Sequence, residues 1–102
     1  MTPLRFDPRQ SGARCWLHPF ENAVMATVWK ADTPLTVKRV WRTLWDTHER
    51  AYTSVATTVN RLVAKGLLTR RRSGMAFVFA ATLTEQEFID IQRGYVRAAL
   101  EG

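Results

Sequence analysis

The hydrophobic pattern switches from helical to strand period at Gly66, and that change limits the folds open to this chain. Before Gly66, apolar residues recur at helical spacing. Val37, Val40, Trp41, Leu44 and Trp45 fall at i, i+3, i+4, i+7 and i+8, which is one continuous face. Val55, Val59, Leu62 and Val63 form a second such face between Tyr52 and Lys65, with Gly66 as a natural C-cap. After Gly66, two short β-prone runs in LLTRRRSGMAFVFAATL flank Ser73-Gly74, a hairpin turn signal.

The flanking segments complete the pattern. Residues 1–17 hold two prolines, one glycine, three arginines and no clean period, and read as an irregular arm. A first helix is expected from HPFENAVMATVWKA, with Pro19 at its first position and Glu21 at the positive end of its dipole. Pro34 ends it. Thr36 is a good N-cap for the second helix, TVKRVWRTLWD. In the last segment, Thr84 and Glu87 form a capping box, and Phe88, Ile91, Tyr95, Val96 and Leu100 lie on a broad apolar face. Gly94 interrupts that face and should weaken or bend the helix.

Three helices, a two-stranded hairpin and a closing helix give a mainly α fold with a small β-hairpin, the winged helix-turn-helix. The expected organisation is an arm over 1–17, a winged helix-turn-helix domain over 18–82, and a C-terminal helix over 83–102 that is a possible dimerisation element. Trp29, Trp41 and Trp45 share faces with valines and leucines and are expected in the core.

Charge points to a partner. The net charge is +6, and residues 36–72 hold nine Lys and Arg against two acids, or +7. A basic middle third suits a polyanion, most simply nucleic acid. Other chemistries find little support. Cys15 is the one cysteine, His18 and His48 are far apart, and no cluster has metal-ligand spacing. No Ser/His/Asp set, paired carboxylates or glycine-rich phosphate loop is present, so neither an enzyme nor a cofactor is expected. No apolar run is long enough to span a bilayer, which predicts a cytoplasmic, nucleoid-associated protein.

The third helix carries the interface. Thr53, Ser54, Thr57 and Arg61 fall opposite its apolar side, with Asn60 and Ala64 at the edges. Such residues are mediocre helix formers, but they are short enough to let a helix backbone sit deep in a major groove about 12 Å wide. No acidic residue occurs from Ala51 to Thr82, as repulsion from phosphates requires. The candidate DNA-contact residues are Thr53, Ser54, Thr57, Thr58, Asn60, Arg61 and Lys65 on this helix. Lys38 and Arg42 on the second helix join them, with Arg70, Arg71 and Arg72 on the hairpin, where a wing lies along the backbone or probes the minor groove. The alternative is a winged helix that binds another protein through its aromatic faces without reading DNA.

The stretches VMATVW, LTVKRVWRTL, AYTSVATTVNRLVAKGLL, RRRSGMAFVF and LTEQEF resemble the penicillinase-repressor family. These are bacterial winged-helix repressors of beta-lactamase and methicillin-resistance genes. The resemblance covers about Leu17 to Phe88. It implies a homodimer on a palindromic operator, with Thr53, Ser54, Thr57 and Arg61 turned to double-stranded DNA. It also implies several C-terminal dimerisation helices, whereas this sequence has room for one after the hairpin. The cysteine pair of copper-responsive relatives has no counterpart here.

Overall fold

A computed structural model describes residues 17–101, with side chains described through Gly94. The order is α1 (Pro19–Lys30), α2 (Val37–Leu44), α3 (Tyr52–Ala64), β1 (Leu68–Ser73), β2 (Ala76–Ala81) and α4 (Glu85–Glu101). This is the winged helix-turn-helix order expected from the sequence. The arm expected over 1–17, with Cys15 and Trp16, lies outside the described residues apart from Leu17.

Local sequence chemistry sets the boundaries. Pro19 occupies the first turn of α1, and the His18 N–H donates to the Glu21 carboxylate at 3.0 Å. The Thr36 hydroxyl accepts from the Arg39 N–H at 3.1 Å and starts α2. Thr84 and Glu87 close a reciprocal capping box at the start of α4, at 2.8 and 3.0 Å. At the end of α3, Gly66 takes φ +83°. The Gly66 N–H donates to the Val63 carbonyl and the Leu67 N–H to the Leu62 carbonyl, both bonds of a Schellman motif. Leu62 and Leu67, which flank it, are fully enclosed.

The core lies where α1, α2 and α3 meet the base of the hairpin. Phe20, Val24, Met25, Val28, Val40, Leu44, Val55, Val59 and Leu62 meet Leu67, Leu68, Phe79 and Phe88 there. β1 and β2 pair antiparallel, with Arg72 opposite Phe77, Arg70 opposite Phe79 and Leu68 opposite Ala81. Phe79 also exchanges two backbone hydrogen bonds with Leu35, at 3.0 and 2.8 Å, which ties the hairpin to the segment before α2.

Three expectations change. The hairpin loop is Gly74-Met75, one residue beyond Ser73-Gly74, because Gly74 takes φ +62° at the first loop position and a side-chain-bearing residue there would be strained. Trp45 is 43% exposed rather than core, since α2 ends at Leu44 and its face no longer continues inward. Phe88 is not free for dimerisation. It is buried, with its ring centroid 5.6 Å from that of Trp29, whose indole N–H donates to the Leu83 carbonyl. α4 runs through Gly94 as one helix.

Candidate nucleic-acid interface

α3 is amphipathic in the sense its composition suggested. Val55, Val59 and Leu62 are buried, while Thr53, Ser54, Thr57, Asn60, Arg61 and Ala64 are exposed. The side chains of Thr53, Ser54, Thr57 and Arg61 make no hydrogen bond or ion pair with any described residue. A helix face of small hydroxyls and one unpaired guanidinium is therefore presented to solvent.

The helix opens without a side-chain cap. Ala51 contributes only its carbonyl, which accepts from the Ser54 and Val55 N–H groups at 3.0 and 3.2 Å. Tyr52 follows it and is 46% exposed. Its ring sits edge-on to Trp41 at 5.7 Å, and Trp41 in turn meets Trp45 at 5.8 Å. The Trp41 indole N–H donates to the Arg50 carbonyl at 2.9 Å, fixing the turn between α2 and α3.

Two residues expected on the DNA side are spent elsewhere. Thr58 is buried, and its hydroxyl donates to the Ser54 carbonyl at 2.9 Å. It lies about 100° around the helix from Thr57, which is enough to turn it to the core. Lys65 is also committed. Its Nζ lies 2.8 Å from Oε1 of Glu21, whose side chain is 2% exposed. Burial pushes the Glu21 carboxyl up. The Lys65 hydrogen bond, the His18 N–H and the Lys65 charge outweigh it and hold the carboxyl below its ordinary value. The second carboxylate oxygen has no partner among the described residues, so the pair rests on Oε1 alone.

The hairpin divides its three arginines between two faces, as the strand period of two requires. Arg70 and Arg72 share a face with Phe77, while Arg71 stands with Val78 on the other. The Arg70 guanidinium lies 4.9 Å from the Phe77 ring centroid and donates to Asn60 Oδ1 at 3.0 Å. The Asn60 amide nitrogen donates to the Ala56 carbonyl at 2.9 Å, which locks its orientation. Asn60 thus holds the wing to α3. The Arg72 guanidinium lies 5.8 Å from the Phe77 ring centroid, and its Nε donates to the Gly74 carbonyl. Arg71 is exposed and unpaired among the described residues, as are Lys38 and Arg42 on α2.

The wing is anchored at its root as well. The Thr82 N–H donates to the Leu67 carbonyl at 3.0 Å, and its hydroxyl to the Gly66 carbonyl at 2.8 Å. The expected dimerisation side chains divide: Ile91 is half-buried, and those of Tyr95, Val96 and Leu100 lie outside the described residues. Among the described residues there is no cluster of three His, Cys, Asp or Glu arranged to hold a metal ion. No helix there is long and apolar enough to cross a membrane.

Comparison with known proteins gives a consistent answer. The family model described as penicillinase repressor matches residues 17–99. A solution structure of the DNA-binding domain of the repressor BlaI superposes with TM-score 0.58 at 24% identity, covering 81% of this chain and 92% of that one. A second solution structure is that of the Bacillus licheniformis BlaI monomeric form in complex with the blaP half-operator. It superposes with TM-score 0.60 at 25% identity, covering 71% of this chain and 87% of that one. No curated protein gives a significant sequence match.

Proposed function

This chain belongs to the penicillinase repressor family, and from that premise we propose that it is a sequence-specific DNA-binding repressor of transcription. The observation that carries the reading is the outward face of α3. Thr53, Ser54, Thr57 and Arg61 are exposed and unpaired among the described residues, and no carboxylate occurs from Ala51 to Thr82 to repel a phosphate. In this reading α3 enters the major groove. Arg61 and the hydroxyls meet base edges, while Lys38, Arg42, Arg71 and the Tyr52 hydroxyl meet phosphates. Asn60 acts through Arg70, which it orients. The complex of Bacillus licheniformis BlaI with a half-operator supports binding of one such domain to one half-site.

The finer proposal is a homodimer on a palindromic operator, joined through the α4 residues Ile91, Tyr95, Val96 and Leu100. Phe88 contributes by seating α4 on the core. A protein-binding role has one observation in its favour, the exposed Trp45 and Tyr52 at the α2–α3 turn.

A gel shift against DNA upstream of the protein's own gene separates the two readings. A shift at low salt is expected, and its midpoint should rise steeply with salt. With about three phosphates neutralised per protomer, by Lys38, Arg42 and Arg71, the log–log slope per protomer is roughly −3. No shift at low salt, alongside a stable complex with another protein, would favour the interaction module.

A further inference from the structure

The tip of the wing has a composition that phosphate contact alone does not explain. Met75 is 96% exposed at the apex of the hairpin. Its neighbours Ser73, Gly74 and Ala76 are small, so the methionine is the one large side chain at the turn. The strands that carry it are six residues long, which projects the tip roughly 17 Å from the root. Arg72 folds back on that tip, with its Nε 3.3 Å from the Gly74 carbonyl, so a guanidinium stands beside the apolar apex. A slim apolar point beside an arginine matches the narrow, electronegative minor groove in both shape and charge.

We propose that, with the wing in the minor groove, Met75 wedges between base pairs, partly unstacking one step and bending the duplex. This rests on the DNA-binding reading above and adds to it a specificity device. Met75 makes the site prefer a flexible pyrimidine–purine step where the wing lands, with no hydrogen bond to a base.

The test uses the full chain and duplexes that the wild-type protein itself selects from a random-sequence pool. Each carries 2-aminopurine at the flanking step, and bending is read from permuted-site electrophoresis. Met75→Ala should lose the 2-aminopurine signal and most of the bend, and weaken binding about tenfold. Its salt slope and thermal midpoint should stay unchanged, because no charge or core contact is removed. Met75→Leu should retain bend and signal. If Met75→Ala bends and binds as the wild type does, the wedge is overturned and DNA binding stands. If the wild-type protein enriches no duplex at low salt, both fall together.

Discussion

Replacing Lys65 with Met should lower the stability of the domain by about 3 kcal/mol and its Tm by more than about 10 °C. The lysine spans from the end of α3 to Glu21 at the start of α1, and Glu21 is enclosed. Without the ammonium, a buried carboxylate is left with only the His18 N–H. Replacing both residues with methionine should recover most of the loss, because the uncompensated charge is gone. The effect carries a pH signature. In the wild type the Glu21 carboxyl is held below its ordinary value, so its stabilisation is present above about pH 4.5 and fades as pH falls through the folded-state value. In Lys65→Met the remaining burial raises that value, so acid relieves the variant. The stability gap should therefore narrow below neutral pH, as urea unfolding followed by tryptophan fluorescence would record. A variant of unchanged stability but weakened DNA binding would return Lys65 to the interface.

Arg61→Ala and Thr57→Ala should reduce discrimination between a selected site and random DNA, Arg61→Ala by about ten- to a hundredfold. Arg71→Ala should instead weaken binding to both DNAs by a similar factor and make the salt slope shallower by about one. The contrast follows from position. Arg61 and Thr57 stand on the outward face of α3, whereas Arg71 projects from the wing face opposite Arg70 and Arg72. Equal losses for all three on both DNAs would show that this division of roles is wrong.

Much of this arrangement was legible before any coordinates. Period and punctuation placed every element, because Pro19, Thr36, Gly66 and the Thr84–Glu87 box act within a few residues of themselves. The outward face of α3 was equally readable, since a helical wheel needs only the valines and Leu62 to orient it. What escaped depended on partners distant in sequence. Lys65 is 44 residues from Glu21, and nothing near it marks it as the counter-charge of a buried acid. Asn60 and Arg70 meet only because the wing folds back beside α3. Thr58 is a different case, since it lies three residues after Val55 and four before Leu62, and the same wheel turns it inward. Trp45 misled for the opposite reason, because its spacing extends an apolar stripe past the point where α2 stops.

The joint at Gly66 has a consequence for the DNA. The glycine that ends α3 also accepts from Thr82 at the far root of the wing, so the wing cannot swing without disturbing the end of the helix. On a duplex that stiffness becomes a distance. If α3 reads bases and the wing meets a step, as proposed, the two keep a constant separation. One base pair inserted between them should cost as much as a mismatch, although no base has been changed.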